Sequence, residues 1–169
     1  MENGFVSKTR RKKEMHALQD LGLELVALND ERLASLDLPE QLRQAVQEAR
    51  RLRGFEARRR QLQYIGRLMR EVDPDPIRAR FAAWEGASRA HAIWLHDLER
   101  WRERLLADPD ALFDLAAHYP GADLQHLRTL VRGARMEEQA RKPPRHFRAL
   151  FRALKTLMPE PDIDDGGHG

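Results

Sequence analysis

Apolar residues recur along this chain at intervals of three and four, the period of an α-helix, with long polar stretches between the stripes. Met15, Leu18, Leu21, Leu25 and Leu28 set the first stripe, and Ser7 stands where an N-cap belongs. A helix is therefore predicted from Lys8 to about Leu28. Its opening turns carry no apolar stripe, and they are expected to order as helix only on a partner. Asn29-Asp30 restarts the chain, and Leu33 and Leu36 mark a short helix closed by Asp37-Leu38-Pro39. Pro39 suits the first position of the next helix, which places Leu42, Val46, Ala49 and Leu52 on one face. Gly54 weakens that helix by about 1 kcal/mol relative to alanine. The pattern nevertheless resumes through Leu62, Ile65, Leu68, Met69 and Val72. One helix over 39–72, bent near Gly54, is the expectation.

Asp73-Pro74-Asp75-Pro76 is a break and restart. Ile77, Phe81, Trp84, Ser88, Trp94, Leu98, Trp101 and Leu105 then trace a stripe that reaches Leu106. About 30 residues at 1.5 Å each make a helix of roughly 45 Å, which is expected to pack antiparallel on the 39–72 helix. Asp108-Pro109 opens a helix ending near His118, and Tyr119-Pro120-Gly121 is a turn. Asp123 caps a helix from Leu124 to about Ala140, with Leu127, Leu130, Val131 and Ala134 inward, and Lys142-Pro143-Pro144 stops it. The last helix buries Phe147, Leu150, Phe151, Leu154 and Leu157. No segment shows the alternation of a strand. The predicted fold is all-α: an extended multihelical protein of two small helical bundles joined by a long helical hairpin. Residues 7–72 would form the N-terminal bundle with a basic arm, residues 74–158 the C-terminal bundle, and residues 159–169 an acidic disordered tail.

Charge changes this picture more than composition does. Hydrophobic residues make up 41% of the 169, enough for a core, and the 34% that are charged suit helices exposing all but one stripe. Net charge is only +3, although the pI is about 9.6. The cations are segregated: Lys8, Arg10, Arg11, Lys12 and Lys13; then Arg50, Arg51, Arg53, Arg58, Arg59 and Arg60; then Arg128, Arg132, Arg135, Arg141, Lys142, Arg145 and Arg148. Glu160, Asp162, Asp164 and Asp165 offset them. Local patches, not the sum, attract a polyanion. Cysteine is absent, which removes disulfides, thiolate metal sites and cysteine nucleophiles. No apolar run approaches the ~20 residues that span a bilayer, and no secretory signal opens the chain. A cytoplasmic location is expected.

Catalytic constellations are not found. His91 and His96 are five apart and do not share a helix face, and His118 and His126 merely flank a turn. No phosphate loop, nucleophile elbow or dinucleotide fingerprint occurs. Glu99 and Glu103 among arginines read as a solvated face. The chain is therefore expected not to be an enzyme, and no cofactor, metal or small-molecule substrate is implied. Trp84, Trp94 and Trp101 share one apolar stripe and read as core before they read as base-stacking platforms. Tyr64, beside the arginine run, is the better stacking candidate.

The basic clusters carry the functional signal. Lys8 to Lys13 holds five cations in six residues, which could equally be a basic arm with no specific target. Arg58-Arg59-Arg60 fans around a helix and, with Arg51 and Gln63, can clamp phosphates through the planar arginine fork. The bland alternative is surface pairing with Glu48, Glu56 or Glu71. Residues 50–60 contain six arginines and one glutamate, so most of these charges lack a local partner. Lys142-Pro143-Pro144-Arg145 adds a rigid basic loop. A broad surface of this kind suits RNA, which is read chiefly by shape and phosphate contact. DNA reading would need an exposed face of Asn or Gln base-readers on the 124–140 helix, which offers only Gln125 and Gln139 at its opposite ends. A membrane surface would need large apolar residues among the cations.

Four ordered blocks resemble the DarP (YjgA) family of bacterial ribosome-associated proteins. The central one is Gly54-Phe55-Glu56-Ala57-Arg58-Arg59-Arg60-Gln61-Leu62-Gln63-Tyr64-Ile65-Gly66-Arg67-Leu68-Met69-Arg70. The others run from Ser7 through Met15 with Leu18 to Leu25, from Ala122 to Arg132, and from Lys142 to Arg145 with Phe147 to Leu154. The resemblance covers about residues 7–158. It implies an all-α, non-enzymatic protein that associates with late precursors of the large ribosomal subunit, contacts 23S rRNA and promotes maturation. Two departures stand out: six residues precede Ser7 where members often have a longer acidic leader, and Phe55 stands where a polar or smaller residue is usual.

The combined expectation is an assembly factor binding 23S rRNA on precursor and free large subunits, with no membrane partner. Its RNA contacts would be Lys8, Arg10, Arg11, Lys12, Lys13, Arg51, Arg58, Arg59, Arg60, Gln63, Tyr64, Lys142 and Arg145. The alternative is a helical protein–protein adaptor without direct RNA binding, which would expose an apolar stripe and bind insensitively to salt.

Overall fold

The computed structural model describes residues 7–162. The leader expected over 1–6, and the acidic tail beyond Asp162, lie outside the described residues. Within them the chain forms eight helices and no strand: α1 Lys8–Ala27, α2 Asp30–Ser35, α3 Glu40–Arg51, α4 Phe55–Met69, α5 Asp75–Ala107, α6 Ala111–His118, α7 Leu124–Gln139 and α8 Arg145–Leu157. Side-chain caps start three of them. Ser7 Oγ accepts from the Arg10 amide, Asn29 Oδ1 from Arg32 and Asp123 Oδ1 from His126, each satisfying a donor that helix geometry leaves open. The basic arm is thus already helical from Lys8, where ordering only on a partner was expected. The Ser7 cap offsets the missing apolar stripe of those turns.

The helix expected over 39–72 is two helices. Leu52 and Gly54 adopt extended backbone (ψ 127° and 131°), which ends α3 at Arg51 and restarts the chain as α4 at Phe55. The reversal lets Leu42, Ala45, Val46 and Ala49 of α3 face Ile65 and Met69 of α4, all buried. Gln41 Nε2 donates to Tyr64 Oη (2.8 Å) and Gln61 Nε2 to the Ala45 carbonyl (3.0 Å), an antiparallel register. A bent continuous helix would keep a few more backbone bonds but leave both stripes in water. Burial at roughly 1.5–3 kcal/mol per large side chain outweighs that gain. The hairpin therefore lies between α3 and α4, and not between a 39–72 helix and α5.

The chain divides into two compact units, residues 7–84 and 85–162 among those described. The first packs α1 against α3 and α4, with Leu25, Leu42, Val46, Ile65 and Met69 essentially inaccessible at its centre. Ile77, Phe81 and Trp84 at the start of α5 join the same core. In the second, Trp94, Leu98 and Leu105 of α5 meet Leu112 and Leu115 of α6, Leu127 and Val131 of α7, and Leu150 and Leu154 of α8. Trp94 Nε1 donates to the buried Met158 carbonyl at 2.7 Å. The Trp stripe read from the sequence is thus shared between two cores: Trp84 and Trp94 are buried, and Trp101 is half-buried against His118 and Tyr119.

Three arginines close helix ends. Arg50 donates to the carbonyls of Val26 (3.0 Å), Leu25 and Leu28 at the end of α1, and pairs with Asp30 at 2.7 Å. Arg43 donates to Leu33 and Leu36 at 2.9 and 2.8 Å, at the end of α2. Arg135 donates to Leu106 and Leu105 at 2.8 and 3.3 Å, at the end of α5. Terminal carbonyls lack intrahelical partners, and a guanidinium satisfies several at once. Arg50 belongs to the 50–60 run counted as mostly unpartnered, and Arg135 to the third basic cluster; the partners of both include backbone carbonyls far away in sequence, which no local charge count can register.

Candidate nucleic-acid interface

Lys8, Arg11, Lys12, Met15, His16 and Gln19 recur at helical spacing on one face of α1. Gln63, Gly66 and Arg67 do so on α4, with Arg70 at its C-cap. The two faces line a common groove of about 580 Å³. Glycine makes the approach possible. A Cβ at Gly22 would sit 3.0 Å from the buried Ile65 Cγ2, and one at Gly66 3.3 Å from Gln19 Cγ, so both glycines sit at close contacts between the two helices, the second against a flexible exposed side chain. Lys8, Arg11, Lys12, Arg67 and Arg70 bring five cations to the rim, all exposed, and the described lining contains no carboxylate. Like charges gathered without a counter-charge raise the local potential, and a polyanion relieves it.

The predicted site residues fall into distinct settings. Lys8, Arg11, Lys12 and Gln63 line the groove. Arg10 pairs with Glu14 at 3.3 Å on exposed surface, and Lys13 is exposed but not among the lining residues. Arg51, Arg58 and Arg60 are exposed at the α3–α4 end, while Arg59 pairs with Glu56 at 3.1 Å, the local partner weighed for this run. An exposed i, i+3 pair of this kind contributes a few tenths of a kcal/mol and is easily exchanged for a phosphate. Tyr64 is half-buried: its hydroxyl holds Gln41, its ring packs on the core and Arg67 lies over it at 5.7 Å. Phe55, the first residue of α4, is 81% exposed.

Lys142 and Arg145 belong to the second unit, at the α7–α8 turn. Arg141 takes a left-handed conformation (φ 51°), the amide of Lys142 donates to the Glu137 carbonyl at 2.9 Å and that of Arg141 to Glu138 at 3.2 Å. This pair of bonds closes the helix end in a Schellman arrangement. Lys142 borders a hollow of about 590 Å³ whose lining also includes Glu103, Glu137 and Glu138. Glu137 accepts from the His146 amide (2.9 Å) and lies 2.6 Å from its Nδ1. Burial pushes the Glu137 carboxyl upward, yet its bonds with the His146 side chain and backbone outweigh that and hold it below the ordinary glutamate value. Cations here are interleaved with carboxylates.

His16, Gln19, Gly66, Arg67 and Arg70 escaped the sequence reading. The signal was present as spacing, since 63, 67 and 70 share a helix face, but only the packing of α1 on α4 makes that face one wall of a groove. Elsewhere His118 Nδ1 bonds the Asp114 carbonyl at 2.8 Å, and Glu160 of the expected tail pairs with His91. No group of three or more metal-ligating side chains occurs among the described residues, and none of the described helices is long and apolar enough to cross a membrane.

A sequence model described as "Dual-action ribosomal maturation protein DarP" matches residues 4–155. The chain belongs to the DarP family. Its similarity to individual DarP proteins extends nearly end to end. The chain is 52% identical to the dual-action ribosomal maturation protein DarP of Chromobacterium violaceum over 160 residues, covering 95% of this chain and 89% of that protein. It is 51% identical to that of Nitrosomonas eutropha over 154 residues, 91% and 88% of the two chains. With the DarP of Cupriavidus metallidurans it shares 44% over 161 residues, 94% and 80%. The match takes in both units, so the groove and the α7–α8 turn lie within the family region.

Proposed function

We propose that this protein is a ribosome maturation factor that acts in the cytoplasm by binding 23S rRNA on late precursors of the large subunit. The observation that carries this reading is the α1–α4 groove, in which five exposed cations face one another with no acidic lining residue among those described. Family membership supplies the ribosomal context. Phosphates of one RNA segment run along the groove between Lys8, Arg11 and Lys12 on one wall and Arg67 and Arg70 on the other. Arg58 and Arg60 extend the grip toward the start of α4, and Lys142 and Arg145 provide a further contact from the second unit. The protein works without catalysis, by stabilising one rRNA conformation through phosphate contacts. A protein–protein adaptor would expose a continuous apolar stripe. The exposed large apolar residues instead stand on five helices, at Met15, Leu23, Phe55, Ile93, Phe113 and Met136.

Sedimentation of the tagged protein through sucrose gradients at increasing salt tests the reading. Co-migration with precursor or free large subunits, lost as salt rises, is expected, since each phosphate neutralised adds close to one unit to the logarithmic salt slope. The variant Lys8→Ala/Arg11→Ala/Arg67→Ala/Arg70→Ala should leave the large-subunit fractions at a salt that retains the parent. Recovery of the parent only at the top of the gradient at every salt would overturn the ribosomal reading.

A further inference from the structure

We propose that Phe55 is a base-stacking residue, on whose ring an unpaired RNA base lies while the neighbouring arginines hold the flanking phosphates. The inference rests on the RNA-binding reading above and adds to it a substrate class: RNA that offers an unstacked base beside a helical segment.

An aromatic ring left in water is unfavourable for the free protein, because apolar surface is stabilised by burial. Phe55 is 81% exposed, more than any other large apolar residue described. Its frame is cationic. Arg58 and Arg59 lie three and four residues on, which places them beside Phe55 on the surface of α4. Arg51 and Arg53 precede it and are exposed. The one carboxylate in the stretch, Glu56, is already held by Arg59 at 3.1 Å. A flat apolar surface set among cations complements a nucleobase, which has a flat face and a phosphate on either side. An apolar protein pocket would use the ring and have no need of the arginines. Phe113 gives an internal comparison: it is 64% exposed but lies between Asp110 and Asp114, the second of which holds Arg104 at 2.8 Å, so its frame has no surplus of cations for a phosphate.

The test measures binding of the full chain to two RNAs: a stem–loop carrying 2-aminopurine among adenines in its loop, and a blunt duplex of the same stem. The parent should bind both with steep salt dependence and change the 2-aminopurine emission of the stem–loop. Phe55→Ala should weaken stem–loop binding by about 5- to 150-fold, the range of one base–aromatic stack, and abolish the emission change. It should leave duplex binding and the unfolding midpoint at parent values. Phe55→Trp should restore both readouts, and Phe113→Ala should alter neither. Full binding by Phe55→Leu would overturn the proposal, because a branched apolar side chain has no face to stack on. Equal losses on stem–loop and duplex would overturn it as well. Parent-like stem–loop binding by Phe55→Ala, with loss on Arg58→Ala/Arg60→Ala, would overturn the stacking role and leave the RNA reading standing. Failure of the parent to bind either RNA would overturn both.

Discussion

The α1–α4 groove and the α7–α8 turn are both rich in basic residues, yet their charges are in different states. In the groove Lys8, Arg11, Lys12, Arg67 and Arg70 reach solvent with no lining carboxylate among the described residues. Around α7 and α8, exposed cations such as Arg128, Arg132, Arg145 and Arg148 stand beside others that are employed within the protein. Arg135 closes the end of α5, Lys155 lies over Trp94 at 5.4 Å, Arg102 stacks on Phe147 at 3.9 Å, and Lys142 shares its hollow with three glutamates. A cation already bonded inside the fold has little left to offer a phosphate, and its removal is felt as lost stability. Availability, and not the number of arginines, distinguishes a binding surface from a structural one.

Alanine substitution of one arginine from each region should separate the two states most widely. Arg135→Ala strips two carbonyls at the end of α5 of a charged donor and should cost about 2–3 kcal/mol in urea unfolding. Arg70→Ala, on exposed groove rim, should stay within about 0.5 kcal/mol of the parent and instead reduce the salt slope of RNA binding. Equal stability losses would erase the distinction. The turn itself supplies a smaller effect of opposite sign. Arg141 occupies a left-handed conformation that glycine adopts without penalty, so Arg141→Gly should raise stability by about 1 kcal/mol. A loss on Arg141→Gly would mean that its side chain, and not its backbone, matters at this turn.

The smallest expected effect is a pH dependence confined to the second region. Because the folded state holds the Glu137 carboxyl below its ordinary value, its contribution is complete at neutral pH. That contribution is lost as pH falls from the ordinary glutamate range through the lowered value. Urea unfolding of the parent and of Glu137→Gln, compared between about pH 7 and pH 3, should show the two converging as the medium becomes acid. A constant difference across that range would show that the His146 contact does not favour the charged carboxylate.

Helix identity and chemistry were legible from local pattern. The caps Ser7 and Asp123 stand where the sequence placed them, as do the restart at Asn29-Asp30, the break before Asp75 and the stop after Ala140, because each depends on residues within one helical turn. The absence of cysteine and the clustering of cations were equally plain. Three other features were decided by tertiary packing. The 39–72 segment split into α3 and α4 because burying both of its apolar stripes together outweighs the hydrogen bonds lost around Gly54. Arg50 and Arg135 left the list of available charges because their carbonyl partners lie 20 to 30 residues away. Arg67 and Arg70 entered it because Gly22 and Gly66 let α1 come close enough to α4 to make two separate helix faces one groove. The sequence alone determined which residues are cationic and which turns are helical. Which of those cations face a ligand was settled only when the helices packed, since a side chain's partners are set by distance in space and not along the chain.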